Sequence, residues 1–325
     1  MPAATPPRSK NVLFVCGSSN QTTQMCAIAD HLEGHTLHFT PFYADGPIEW
    51  FRQAGLLDFT IVGRRPREQC LAHLRDRGLN VDLGGLARAY DLIVTCTDLF
   101  VPKNIRATRA VLVQEGMTDP ENLLFEVVRR VPALPRYLAS TAATGLSHWY
   151  AKFCVASHGY LRHFAAKGVE PSKMVVTGIP NFDDCEHYLN NDFPHRGFVL
   201  VCTSDARETF KLHRRRPVIE KAVRLAQGRQ IIFKLHPNEN TRRAKREIAE
   251  LAPGALVYTE GRAEHMIANC DILITEFSST AFVGLALGKE VHSEFDVAEL
   301  TRLLPEQNRS AATNIARVCR EVLQA

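Results

Sequence analysis

Asp271-Ile-Leu-Ile-Thr-Glu-Phe-Ser-Ser-Thr-Ala-Phe-Val-Gly-Leu-Ala-Leu-Gly288 reads as a buried strand that turns and enters a helix. Ile272, Leu273 and Ile274 form an apolar run too short for a helix, and Thr275-Glu276-Phe277 breaks it. Three hydroxyl residues, Ser278, Ser279 and Thr280, then open the next element. A helix starting there presents unpaired backbone N–H groups at the positive end of its dipole, which is a seat for a phosphate. Glu276 stands where it can accept hydrogen bonds from a ribose. The same hydroxyls also serve as an ordinary N-cap, with or without a ligand.

A second element, Ile231-Ile-Phe-Lys-Leu-His-Pro237, reads as a strand that delivers Lys234 and His236 to its carboxyl end. Pro237 stops a central strand from continuing. In parallel α/β sheets ligands gather outside the carboxyl ends of the strands. Lys234 and His236, two positions apart, are expected to face one side, neutralise a diphosphate and supply a proton donor to a leaving oxygen.

Similar runs recur along the chain. Strands are expected over residues 12–16, 37–42, 59–62, 92–95, 111–114, 153–156 and 174–177, then over 198–202, 231–234, 256–258, 272–275 and 290–292. Helical patterns such as 22–32, 66–77 and 157–167 fill the gaps. Strand–helix alternation of this kind implies parallel sheets covered by helices. The 325 residues fit two domains of about 150 residues each. Residues 1–10 read as a disordered tail, 11–185 as a first Rossmann-like domain and 196–325 as a second, with the last helix free to pack back on the first.

With Val175-Val-Thr-Gly-Ile-Pro-Asn-Phe-Asp183 ahead of them, these two elements resemble the carboxyl-terminal half of GT-B transferases over roughly residues 150–292. The nearest families are the CDP-glycerol glycerophosphotransferases of teichoic acid synthesis and related capsule glycosyltransferases. The UDP-N-acetylglucosamine 2-epimerases are similar more distantly. The resemblance implies an α/β GT-B fold, two Rossmann-like domains facing across a cleft. It implies transfer of a sugar or polyol phosphate from a UDP-, CDP- or CMP-linked donor to a cell-envelope acceptor, glycan or lipid-linked, with no further cofactor. Donor binding falls to Lys234, Glu276, Ser278, Ser279 and Thr280, and to the turn Gly178, Pro180 and Asn181. The glycerophosphotransferases carry Asp before Tyr-Ser-Ser where this chain has Glu276 before Phe277. They carry His-Gly after an amino-terminal strand where Val111-Leu-Val-Gln-Glu-Gly116 has Glu115. Glu115 is the expected general base beside His236, with His158 and Asp183 as alternatives. The polar loop Gly17, Ser18, Ser19 and Asn20 after the first strand suits the hydroxyls of an acceptor. A 2-epimerase and a non-catalytic nucleotide-sugar-binding protein are the competing expectations.

Composition narrows the field. A 45% hydrophobic and 23% charged content is that of a soluble globular chain. No signal-peptide pattern or membrane-length apolar run is present, so a cytoplasmic protein is expected, with peripheral attachment to the inner face of the membrane as an option. The nine cysteines are odd in number and lack Cys-x-x-C, which argues for buried free thiols rather than disulfides or zinc. G-x-G-x-x-G and P-loop signatures are absent, disfavouring NAD and ATP. Asp-x-Asp is absent too, so no metal is expected in the reaction. The net charge of +4 is gathered into clusters such as Arg129-Arg130 and Arg214-Arg215-Arg216. These read as solvated faces, and no nucleic-acid reading module accompanies them. Residues 121–136 place Leu123, Leu124, Val127, Val128 and Val131 on one helical stripe beside Arg129, Arg130 and Arg136. Such a stripe packs on a sheet or meets an anionic membrane surface.

Overall fold

The computed structural model describes residues 9–56, 62–131, 134–204 and 214–325. The expected strand at 59–62 falls mainly on residues 57–61, outside the described residues, as do residues 1–8 of the tail and Pro132. The chain divides into two compact units, one of residues up to Asp183 together with Asn308–Ala325, the other Asp184–Gln307.

The first unit runs β1 (Asn11–Cys16), α1 (Ser19–Ala29), β2 (Thr36–Pro41), α2 (Gly46–Gln53), α3 (Arg64–Asp76), β3 (Leu92–Thr95), β4 (Ala110–Val113), α4 (Leu123–Arg130), β5 (Lys152–Val155), α5 (His158–Lys167) and β6 (Met174–Val176). Its strands pair all-parallel in the order β2-β1-β3-β4-β5-β6. Strands buried on both faces need continuous apolar runs rather than alternation. Leu92-Ile-Val-Thr95 and Ala110-Val-Leu-Val113 are buried throughout.

The second unit runs β7 (Phe198–Cys202), α6 (Arg215–Ala226), β8 (Ile231–Lys234), α7 (Thr241–Leu251), β9 (Leu256–Tyr258), α8 (Ala263–Asn269), β10 (Cys270–Thr275), α9 (Thr280–Ala286), β11 (Glu290–His292) and α10 (Val297–Leu303). Its sheet is all-parallel in the order β11-β10-β7-β8-β9. The last helix, α11 (Ala311–Gln324), belongs to the first unit. Its Ile315, Ala316, Val318, Cys319 and Val322 join Val12, Phe14, Val94 and Val111 in one core.

Chain order fixes where ligands can approach. In the second unit the chain leaves β7 for β8 and β9 on one side and returns to β10 and β11 on the other, so the strand order reverses between β7 and β10. In the first unit the reversal lies between β1 and β3. Backbone diverges at such a switch point and opens a crevice outside the carboxyl ends of the strands. All nine cysteines are buried free thiols.

Candidate functional site

At the switch point of the second unit, Thr203 and Ser204 follow β7, and Glu276 follows β10. The two sides are tied together by Arg215, the first residue of α6. Its guanidinium donates to Glu276 Oε1 at 3.0 Å, to Glu239 Oε1 at 2.7 Å and to the Ser204 carbonyl at 3.2 Å. Ser204 Oγ donates to Glu276 Oε2, and Thr203 Oγ1 to Glu239 Oε2 at 2.5 Å. The three charged side chains are 0–2% exposed. One buried cation therefore holds two buried carboxylates, and the Ser204 and Thr203 hydroxyls add hydrogen bonds that offset part of the carboxylates' desolvation. Glu276, expected at a ribose, is instead committed to this frame.

Lys234 and His236 part company at the end of β8. Lys234 is buried, and its ammonium donates to the carbonyls of Leu235 at 3.1 Å and Thr259 at 3.3 Å, closing the end of the sheet between β8 and β9. His236 is half-buried. Its backbone N–H donates to Thr203 Oγ1 at 3.0 Å, and its Nδ1 accepts from the Asn238 N–H at 3.2 Å. A neutral imidazole that accepts at Nδ1 carries its proton on Nε2, the arrangement needed to donate to an anionic oxygen.

The hydroxyl segment also differs in detail. The helix begins at Thr280 with Ser279 as its N-cap. Ser278 Oγ accepts from the Thr280 N–H at 3.3 Å and from its hydroxyl at 2.9 Å. Ser278 thus makes a local turn that delays the helix by two residues. Exposed Phe277 packs edge-on against Phe295, with ring centroids 5.0 Å apart.

Residues expected on the acceptor side gather in the first unit. Gly17 follows β1, and Ser18 caps α1 by accepting from the Gln21 N–H at 3.2 Å. Ser18 Oγ donates to Glu115 Oε1 at 2.7 Å, and Gln21 Nε2 to Oε2 at 2.6 Å. Gln24 Nε2 donates to the Glu115 carbonyl at 2.8 Å. A β-carbon on Gly17 would fall 1.9 Å from the Gln21 side-chain amide, so any larger residue would displace that amide and the bond it makes to Glu115. Glu115 is half-buried at the end of β4, two strands from β1. Beneath it the Cys96 thiol donates to Gln24 Oε1 at 3.4 Å. Burial first, and the Glu115 charge second, hold that thiol well above its usual range. Cys96 is therefore no nucleophile at this edge.

The Gly178 turn, expected at the donor, lies on this same unit. Asn181 Nδ2 donates to the Asn20 carbonyl at 3.0 Å, and its Oδ1 accepts from Thr23 Oγ1 at 3.3 Å. Gly178 has φ +78°, and a β-carbon there would meet Ala311 at 3.1 Å. Ser19 and Asn20 are exposed at the start of α1, and so is His158 at the start of α5. Asp183 does something else: its carboxylate accepts from the Ala311 N–H at 2.8 Å and its carbonyl from Arg309 at 3.0 Å, anchoring the start of α11.

Sequence reading missed Arg215, which sat inside a basic cluster taken for a solvated face. The signal was present in Arg215-Arg-Pro-Val-Ile-Glu-Lys-Ala222. Positions 215, 218, 219, 222 and 226 share one helical face, and that face is buried. Among the described residues no cluster of His, Cys, Asp or Glu could hold a metal ion, and no helix is long and apolar enough to cross a membrane.

Two all-parallel α/β units, each with a switch point at its carboxyl edge, define a fold of the GT-B class. No family model and no curated protein matches the sequence. Solved structures do match. The chain is similar over 96% of its length to all of a UDP-GlcNAc 2-epimerase from Neisseria meningitidis bound to UDP-GlcNAc, at 12% identity and a TM-score of 0.55. It is similar over 97% of its length to 96% of a UDP-N-acetylglucosamine 2-epimerase from Rickettsia bellii, at 11% identity and a TM-score of 0.52. Over 97% of its length it is similar to 89% of a variant of the wall teichoic acid polymerase TagF soaked with CDPG, again at 11% identity and 0.52. Both families resembled by the sequence motifs are represented, and at such identity the likeness fixes the fold.

Proposed function

We propose that this chain is a GT-B enzyme that moves a sugar or polyol phosphate from a UDP-, CDP- or CMP-linked donor to a cell-envelope acceptor. The observation that carries this reading is the carboxyl edge of the second sheet. His236, whose Nδ1 accepts from the Asn238 N–H, and the hydroxyl turn Ser278–Thr280 flank a switch point made rigid by Arg215, Glu239 and Glu276. The donor diphosphate is bound there by His236 and by the hydroxyl and backbone N–H of Ser279, and hydrogen-bond donors fixed in advance stabilise the leaving charge. Lys234 contributes by holding the strand end and adding a buried positive charge behind it. In the first unit Glu115, oriented by Ser18 and Gln21, takes the proton of the acceptor hydroxyl, and the Ser19-Asn20 edge with Asn181 receives the acceptor.

The acceptor is lipid-linked in this reading, and a property of α4 supports it. Phe125 and Val128 are its buried residues, whereas Leu123, Leu124, Val127 and Val131 stand exposed beside Arg129 and Arg130. An apolar stripe with a basic flank that faces solvent suits peripheral attachment to an anionic membrane, each arginine near the surface adding about 1 kcal/mol.

A second reading, nucleotide-sugar 2-epimerisation, is favoured by the Neisseria meningitidis fold neighbour. Incubation with UDP-N-acetylglucosamine separates the two: release of N-acetylmannosamine would establish the epimerase and end the transferase proposal. A thermal-shift screen of UDP-, CDP-, CMP- and GDP-linked compounds identifies the donor. The bound one should add roughly 3 kcal/mol of stability at a hundredfold excess over its dissociation constant. Binding without turnover across many acceptors would leave a non-catalytic binding protein.

His236→Ala and Ser279→Ala are each expected to weaken the nucleoside diphosphate product roughly ten- to hundredfold with the fold intact, since a charge-assisted hydrogen bond contributes about 1.5–3 kcal/mol. Calorimetry that finds both affinities unchanged removes the phosphate site. Turnover should also survive EDTA, because the chain has no Asp-x-Asp. Activity lost on chelation and restored by magnesium or manganese would contradict this.

A further inference from the structure

A cavity of about 740 Å³ opens in the first unit, between the start of α2, the segment that follows β3 and the segment that follows α4. Its charged lining is unbalanced: Lys103, Arg106 and Arg136 against the single carboxylate of Asp45. Among the described residues none of the three cations forms an ion pair. Arg106 Nε donates to the Val101 carbonyl at 2.9 Å, and Arg136 Nε and Nη2 to the Asp98 carbonyl at 3.4 and 3.3 Å. Asp98 is itself fully buried, its carboxylate accepting from the Gly145 and Ser147 N–H groups at 3.0–3.1 Å. The guanidiniums are thus oriented by a fixed backbone while their charge stays uncompensated. Asp45 accepts from the Lys103 backbone N–H at 2.5 Å. Preorganised, unneutralised guanidinium is the chemistry that recognises phosphate.

The elements that line this cavity carry exposed apolar side chains close in sequence to its lining residues Ile48 and Tyr137. Trp50 and Phe51 on α2 are 64% and 42% exposed, their rings edge-on at 5.1 Å. Tyr137, which lines the cavity, and its neighbour Leu138 stand exposed on the segment after α4. Exposed aromatic side chains on the same elements that supply a basic pocket point to an interaction site. The volume lies within the range of small-molecule pockets, about 300–1,000 Å³, and exceeds what a bare phosphate fills.

We propose that this cavity binds the phosphate or diphosphate headgroup of an anionic lipid, with Trp50, Phe51, Tyr137 and Leu138 against its chains. Charge complementarity selects the headgroup, and the exposed apolar side chains select a lipid over a soluble phosphate ester. The role of the site, presenting a lipid-linked acceptor, rests on the transferase reading above; the binding itself does not.

Flotation of the full chain tests it, using phosphatidylcholine vesicles with and without phosphatidic acid. The wild-type chain should float only with phosphatidic acid. Lys103→Ala with Arg106→Ala should lower the bound fraction at limiting lipid at least about tenfold, and Trp50→Ser with Phe51→Ser comparably. Arg129→Ala with Arg130→Ala should have the smaller effect, and soluble glycerol 3-phosphate should not compete. All of these positions are exposed, so melting temperatures should match the wild type. Unchanged flotation of the Lys103/Arg106 variant would overturn the proposal. So would full competition by glycerol 3-phosphate, which makes the ligand a soluble ester. So would a dimer in sedimentation that dissociates in the Trp50/Phe51 variant without lipid dependence, which gives the surface to a second copy. Lipid binding without any nucleotide-dependent thermal shift keeps this site and sinks the transferase reading; the reverse result sinks this site alone.

Discussion

Arg215→Ala is expected to lower stability by about 3–5 kcal/mol, because it removes the guanidinium that two buried carboxylates share. Glu239 and Glu276 are 0% and 2% exposed and share that one guanidinium. On a unit of this size the loss corresponds to a fall in melting temperature of roughly 10 °C or more. Arg215→Lys should recover only a part, since an ammonium cannot reach both carboxylates and the Ser204 carbonyl in one plane. Replacing Arg215, Glu239 and Glu276 together by Met, Gln and Gln should recover much of the loss, because cation and carboxylates leave the interior together. Urea and thermal denaturation of the three variants check this. A single Arg215→Ala variant that melts with the wild type would show that the carboxylates find other partners or protons.

Glu115→Gln is expected to lower turnover by about two orders of magnitude or more while leaving donor affinity unchanged. A positioned general base contributes about 10²–10⁴-fold, and Gln keeps the volume and the Ser18 contact without the basicity. Ser18→Ala is the informative companion. It removes one of the two donors that orient the carboxylate and should reduce turnover by much less. Steady-state rates with donor held saturating separate the effects. Full turnover in Glu115→Gln would move the base to His158, which is exposed at the neighbouring strand end. Asp183 is a poor substitute, because its carboxylate is occupied at the start of α11.

What was legible in the sequence follows from how local each signal is. The strands at 92–95, 198–202, 231–234, 256–258 and 290–292 begin and end where the sequence predicts. An apolar run flanked by turn residues carries its own boundaries, and strand–helix alternation then implies parallel sheets. Helix starts were less legible. The hydroxyls at 278–280 announce a helix, but the Ser278 turn shifts its onset to Thr280. The interior of the candidate site was least legible. Glu276 reads as a loop carboxylate free to meet a ribose, yet its partner Arg215 lies 61 positions away. Lys234 reads as a strand-end cation, but the carbonyls that turn its ammonium inward belong to Leu235 and Thr259, and one of the two comes from another strand end. By contrast, Glu115 and the Gly17–Asn20 loop were each placed at a strand end by local pattern. Their meeting follows from the order of β1 and β4 in the sheet, which a single sequence does not specify.

The return of α11 to the first unit reverses the usual order of events on the ribosome, where domains generally fold as units from the amino terminus. Residues 184–307 form a contiguous stretch and can collapse on their own as they emerge. The sheet begun at Asn11 cannot fully cover one face of β3, β4 and β5 until Ile315, Val318, Cys319 and Val322 have been made. During synthesis the earlier half therefore waits, with apolar surface uncovered, for the latest residues. A released chain truncated before residue 311 would offer chaperones the first unit and keep every residue of the second.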